Sequence, residues 1–292
     1  MPTFVLQHEP EHLALCDRAG WVSATDGDTP TIQLPVRMLG IDAPELHFGG
    51  ADEEHPGKYD EPFANFLATH GANLDDGLKQ HLAPRLMSQA STRHIHAGKA
   101  AHSHYLKIVR ERLDRGMSQN GKPRPPRKLF VMVAEQIFDH NGRLLAYVNA
   151  NYTKAERAQI PPAQRPTFNL QMMQDGHATS LLIYPNIPKR ADLKLVQDAV
   201  RSARENGKGI WAQGDLVLQA FEFRWIIDTI TGTRQGPDRF CGDVTTGKLF
   251  PPQQYYRVEP ENRLFFFEAD VHQALMMGFS QATTAEIAHV LG

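Results

Sequence analysis

Asp28, Arg37, Asp42 and Glu45 stand within eighteen residues of one another, in the runs Thr25-Asp26-Gly27-Asp28-Thr29 and Val36-Arg37-Met38-Leu39-Gly40-Ile41-Asp42-Ala43-Pro44-Glu45. Three carboxylates and a guanidinium so close together suit chemistry on a phosphate. Carboxylates can hold a hard cation, and a planar guanidinium donates to two phosphate oxygens at once. A second arginine, Arg143, follows about a hundred residues later, directly after Asn141-Gly142.

These residues need strands and tight turns to bring them together. Residues 12–25 read as a strand, and Asp26-Gly27 is a hairpin-turn dipeptide. Ile32, Leu34, Val36 and Met38 alternate at period two, which predicts a half-buried strand that Pro44 ends. Residues 129–134 and 144–148 read as a second hairpin around Asp139-His140-Asn141-Gly142, with Arg143 opening the returning strand. Helical patterns cover residues 59–67, 74–87, 99–113 and 168–175. A further helix carries Leu193, Val196, Ala199, Val200 and Ala203 and is closed by Gly207. Residues 212–292 read as a separate small unit.

The bulk numbers narrow the function classes. The chain has 292 residues, enough for one large domain or two ordinary ones, and 41% of them are hydrophobic. Lys and Arg number 31 and Asp and Glu 33, a net charge of -2, so a generally basic nucleic-acid-binding surface is excluded. Any affinity for a polyanion must come from a local site. The two cysteines, Cys16 and Cys241, are too few for a disulfide framework or a multi-cysteine zinc site, and they fit a reducing compartment. The first residues lack the basic start and apolar run of a signal peptide, and no segment is long and apolar enough to span a bilayer. The expected location is cytoplasmic.

The residues together resemble the staphylococcal nuclease (thermonuclease) family. The resemblance rests on Asp26-Gly27-Asp28-Thr29, Arg37 to Glu45, Asn141-Gly142-Arg143-Leu144-Leu145-Ala146-Tyr147 and Gly207-Lys208-Gly209-Ile210-Trp211, which occur in the family's order. It covers roughly residues 12–211 and implies an α+β fold: a five-stranded OB-fold β-barrel with packed helices. A helical insertion falls at about 46–97, and the domain ends near 211. It also implies a calcium-dependent nuclease acting on DNA, RNA or both. In that scheme Asp28 and Asp42 ligate Ca2+, with the backbone carbonyl of Ala43 as a further ligand. Glu45 is the base or water-orienting group, and Arg37 and Arg143 hold the scissile phosphate. His140 stands in the hairpin where the family places residues near a terminal phosphate, and Tyr184 is the candidate base-stacking platform. Residues 239–279 bear a distant resemblance to the small zinc-binding domain of Ada-type DNA-repair proteins without its cysteines. That resemblance implies a metal-free α+β unit around Phe265, Phe266 and Phe267.

Each piece taken singly has an ordinary reading. Asp-Gly is a hairpin turn, Arg37 and Arg143 are surface strand arginines, and Asp42 to Glu45 is a turn that caps the next helix. A non-catalytic nucleic-acid- or protein-binding module on the same scaffold is the competing function. Retention of all five acidic and arginine positions favours the enzyme. The insertion after Glu45 is either a wall shaping substrate access or a packing decoration. His94, His96, His102 and His104 have the residue type of metal ligands, but on a helix His102 and His104 point to different faces, and the four read as a solvated surface group.

Overall fold

Asp26-Gly27 makes the turn its residue types call for. In the computed structural model, which describes residues 19–139 and 141–283, β1 (Gly20–Ala24) and β2 (Pro30–Gln33) pair antiparallel across it, with Thr25 N donating to Thr29 O at 3.0 Å. The first part of the strand expected over 12–25, Cys16 and His140 lie outside the described residues.

The next strand is broken in two. β3 (Val36–Met38) and β4 (Gly40–Asp42) are separated at Leu39, and Gly40 takes a φ of +73°, a left-handed conformation that glycine adopts without strain. The break lets one segment serve two sheets. β5 (Leu129–Phe138) and β6 (Leu144–Ala150) form the second hairpin, and β3 adds to β6 in parallel, with Arg37 opposite Leu145. β4 instead pairs antiparallel with β7 (Thr179–Ile183). From β7 the second sheet continues through β10 (Arg263–Phe266), β8 (Phe240–Asp243), β9 (Lys248–Phe250) and β11 (Ser280–Gln281).

The fold is therefore α+β, as expected. Its strands fall in sheets of two, six and three, and no closed five-stranded barrel is found among the described residues. The physical reason lies in the first hairpin. β1 and β2 pair only with each other in the sheet order, and Trp21, Val22 and Ile32 are exposed. Leu129 to Val133 of β5 are likewise exposed.

The helices are α1 (Asp60–Ala64), α2 (Phe66–His70), α3 (Asp76–Arg85), α4 (Ala90–Leu113), α5 (Lys154–Gln159), α6 (Phe168–Gln174), α7 (Arg190–Glu205), α8 (Ala220–Ile230) and α9 (Val271–Met276). Two main cores organise them. Ile41, Ile108, Val148, Phe168, Val200 and Trp211 pack α4, α6 and α7 beneath β6. Phe63, Phe66, Leu78 and Leu82 of α1 to α3 pack with Phe223, Trp225 and Ile226 of α8 and with Tyr255 and Phe265. The segment read as an insertion and the segment read as a separate unit thus share one core. The parallel pairing of Leu264 with Leu182 carries the six-stranded sheet across the boundary expected near 211. Each buried Phe or Leu in that shared core contributes on the order of 2 kcal/mol of transfer free energy.

Candidate active site

The β3–β4 break places Arg37 in the wall of a cleft and Asp42 behind that wall. Asn169 of α6 holds the break in position: its Nδ2 donates to Leu39 O at 2.9 Å and to Ala146 O at 3.3 Å, while its Oδ1 accepts from Val148 N at 2.9 Å. Asp42 is 1% exposed and accepts from Arg37 NH2 on Oδ1 at 2.8 Å. Burial raises the Asp42 carboxyl, but Arg224 and Arg37 outweigh it and hold the carboxyl below its ordinary value. Arg37 keeps 34% of its side chain exposed and lines a cleft of about 890 Å³, at the large end of ligand sites.

Glu45 is fixed through its backbone. Its N–H donates to Nε2 of His94 at 3.0 Å, and the other ring nitrogen of His94 lies 3.2 Å from Leu218 O. An acceptor Nε2 requires the neutral ring with its proton on Nδ1. Burial pushes the pKa of His94 down to about 3, so the ring stays neutral under ordinary conditions. The ring also stacks on Phe223, with centroids 3.9 Å apart. One helical turn further along α4, Gly98 lies against the same peptide: a Cβ there would come within 2.2 Å of Glu45 O. His94 is therefore a buried positioning group rather than part of a solvated histidine surface. Its signal in the sequence was its place four residues before a glycine on one helical face, a pairing that carries no meaning until the Glu45 turn is packed against it.

Arg143 comes to the same cleft from the second hairpin. Its Nε donates to Asp139 Oδ2 at 2.7 Å, and its NH2 lies 2.6 Å from the same oxygen. Asp139 also accepts from the backbone N–H of Arg143 and of Asn141. Burial raises the Asp139 carboxyl, but these donors more than offset it and lower it. Tyr184 lines the cleft and is stacked on Phe266, 5.8 Å between centroids. Phe265 and Phe266 are buried, whereas Phe267 is 41% exposed, lines the cleft and carries the Arg239 guanidinium 5.1 Å from its ring centre. Ala43 packs against the α4–α6–α7 core. Asp28 sits on the exposed β1–β2 turn, hydrogen-bonded from Thr29 at 3.2 Å, and is absent from the cleft lining. Thus Arg37, Glu45, Arg143 and Tyr184 meet in one cleft, Asp42 lies behind it, and Asp28 stands elsewhere.

The sequence reading missed Arg224. It lies on α8, whose neighbouring Phe223, Trp225 and Ile226 are buried in the shared core. NH1 and NH2 of Arg224 donate to Oδ1 and Oδ2 of Asp42 at 3.0 and 2.8 Å, and NH1 also donates to Glu45 Oε1. Burial disfavours its charge, but Asp42 and Glu45 outweigh burial and raise its pKa above the ordinary arginine value. A lone arginine inside Phe221-Glu222-Phe223-Arg224-Trp225 was the available signal, since a charge among aromatics needs a partner.

The donor set bears on calcium. That ion takes six to eight oxygens. Asp42 spends both oxygens on guanidinium donors, Glu45 shares Arg224, and Asp28 is apart. Among the described residues no group of three or more His, Cys, Asp or Glu side chains is placed to hold a metal. As arranged, with Arg224 seated, these residues do not fit Ca2+. Cys241 is buried on β8 with its thiol pushed up to about 12 by burial, which makes it a packing group. Among the described residues no helix is long and apolar enough to cross a membrane.

Comparison with known proteins supports the family resemblance. The family model described as "Staphylococcal nuclease homologue" matches residues 119–213, a stretch that contains Arg143 and Tyr184. The chain is also similar to Endonuclease YhcR of Bacillus subtilis (strain 168), 26% identical over 289 residues. That similarity covers 97% of this chain and 18% of the relative, so the chain spans less than a fifth of the relative's length.

Proposed function

We propose that this chain, whose residues 119–213 belong to the staphylococcal nuclease family, is a nuclease that hydrolyses phosphodiester bonds of DNA, RNA or both. The observation that carries the reading is the convergence of Arg37, Glu45 and Arg143 on one cleft from three separate segments. The similarity to a protein named an endonuclease agrees with it.

The chemistry follows from charge. Attack of water on a phosphodiester forms a bond from water oxygen to phosphorus and breaks one ester bond. The five-coordinate transition state carries extra negative charge on its non-bridging oxygens. Arg37 and Arg143 are permanently cationic and face the cleft with partly exposed guanidinium groups, so phosphate oxygens can take up their free N–H donors. Glu45, held by His94 behind it, orients the attacking water. Tyr184 offers a ring for stacking a base beside the phosphate. Calcium, the cofactor implied by the resemblance, is an expectation for assay, and the roles above belong to the chain's own groups. A cytoplasmic location is likewise an expectation.

The test is direct. Purified protein is incubated with labelled single-stranded DNA and with RNA, in calcium and in chelator, from neutral to alkaline pH. Cleavage that disappears in Arg37→Ala and Glu45→Ala, with folding retained, is the expected result. Absence of cleavage in every condition would sink the enzyme reading and leave the binding module.

A further inference from the structure

The C-terminal segment brings a ring and a cation of its own to the cleft. β7 and β10 run parallel and β8 runs antiparallel to β10, so the ends of β7 and β10 and the start of β8 lie together. Phe266 pairs with Phe240, which puts Phe267 and Arg239 one step beyond that pair, at the same end of the sheet. Both line the cleft, as does Tyr184 just past the end of β7. The Phe267 ring is 41% exposed, and the Arg239 guanidinium lies 5.1 Å from its centre. Arg239 also differs from the other arginines of the cleft lining. Arg37, Arg143, Arg224 and Arg234 each have a carboxylate oxygen at 3.1 Å or less. The Nε of Arg239 is buried without a hydrogen-bond acceptor among the described residues, and Asp238 stands 4.0 Å away. Burial lowers its pKa, and Asp238 offsets that only in part. A buried donor with no acceptor costs free energy that an arriving anion would recover.

We propose that Phe267 and Arg239 form a subsite for a nucleotide flanking the scissile phosphate of a single strand, with the base stacked on the Phe267 ring and the phosphate taking the N–H donors of Arg239. The inference rests on the nuclease reading and deepens it by naming the strand form the cleft takes. The subsite lies outside residues 119–213, the stretch matched by the family model. A ring with a guanidinium beside it holds both halves of one nucleotide, the base by its face and the phosphate by charge. In a duplex each base is covered by its neighbours, whereas a single strand can turn a base face to the wall. Every base has such a face, so the subsite selects strandedness rather than sequence. With a net charge of -2, affinity for a polyanion has to come from local groups of this kind.

The experiment measures binding without cleavage, by fluorescence anisotropy in chelator, with the strands checked as intact on a gel. The probes are a fluorescein-labelled oligothymidylate, an abasic strand of the same length and a duplex. The full chain is compared with Phe267→Ala and Arg239→Gln, and thermal midpoints confirm folding. The parent should prefer the oligothymidylate to both other probes. Phe267→Ala should weaken oligothymidylate binding at least about fivefold and abasic binding by less than about twofold. Arg239→Gln should weaken both single strands and lower the salt slope by about one. If either variant fails to fold, Phe267→Leu, which keeps apolar bulk without the ring, should show the Phe267→Ala pattern. Arg239→Lys, which keeps charge without the planar fork, should bind more weakly than the parent with its salt slope kept. Oligothymidylate affinities within about twofold of the parent in the variants overturn the proposal. So do equal losses on the thymidylate and abasic strands in Phe267→Ala, and a parent that binds none of the probes. Because binding is read without cleavage, a chain that cleaves nothing can still show this pattern. A chain that cleaves but binds alike in all variants loses the subsite and keeps the nuclease reading.

Discussion

Asp28 and Asp42 look alike in the sequence. Both are aspartates beside short strands, fourteen positions apart, and the family resemblance implies the same role for both. The structure treats them in opposite ways. Asp28 rides an exposed two-stranded hairpin whose neighbours Trp21, Val22 and Ile32 bury little. Asp42 ends a three-residue strand at the edge of a six-stranded sheet and is gripped by two arginines, one from β3 and one from α8. A carboxylate becomes part of a built site when separate elements converge on it, and only Asp42 has that company in this arrangement.

The largest expected effect lies on the Asp42 side. Asp42→Ala leaves Arg224 without its two-oxygen partner and should cost about 3–5 kcal/mol in denaturant unfolding, together with activity. Asp28→Ala should change stability by less than about 0.5 kcal/mol and activity by less than tenfold. Losses of equal size at the two positions would break the contrast and place the hairpin at the site. Arg143→Ala comes next, with a loss on the order of a hundredfold in kcat at nearly unchanged stability, because its removal takes a phosphate donor and leaves Asp139 its backbone N–H donors. Gly98→Ala tests whether the buried side depends on close backbone packing. The added methyl would meet Glu45 O, so kcat should drop at least tenfold while single-strand binding, measured by fluorescence anisotropy, changes little.

A pH experiment sharpens the same contrast. The pKa of His94 falls from an ordinary 6.5 to about 3 on folding, so between those values the unfolded chain binds the proton and the native chain does not. Stability should therefore fall as pH drops from 6.5 toward 3, with a slope approaching about 1.4 kcal/mol per pH unit from this one group. Asp42 and Glu222 (the latter lowered to about 2) add to the loss below their unfolded values, 3.8 and 4.5. His94→Gln should flatten the upper part of that slope. The smallest effect is expected at the cleft rim, where Tyr184→Ala should raise KM severalfold with kcat nearly constant.

Much of this architecture was legible in the chain. Alternation placed β3 and the second hairpin, Asn141-Gly142 placed Arg143 on a returning strand, and helical periodicity found α4, α6 and α7. What was not legible depends on distant packing. The break at Gly40 divides one apparent strand between two sheets, and only the partners β6 and β7 make that visible. Arg224 and His94 were missed for a related reason. Each gains its role from contacts made 182 and 49 positions away along the chain, to Asp42 and Glu45, and local patterns do not encode such contacts. The C-terminal segment read as a separate small unit, and the pairing of β10 with β7 that joins it to the rest is not visible in its own residues. In the structure it supplies both a wall of the cleft and an arginine to the carboxylates.

We propose that Arg37, Glu45 and Arg143 form one hydrolytic site. The most direct measurement compares single-turnover cleavage of an end-labelled single-stranded oligonucleotide by the parent chain and by Glu45→Gln, with unfolding midpoints measured alongside. The expected result is cleavage by the parent and a rate at least a hundredfold lower in the variant, at a closely similar midpoint. Undiminished cleavage by Glu45→Gln would contradict the account.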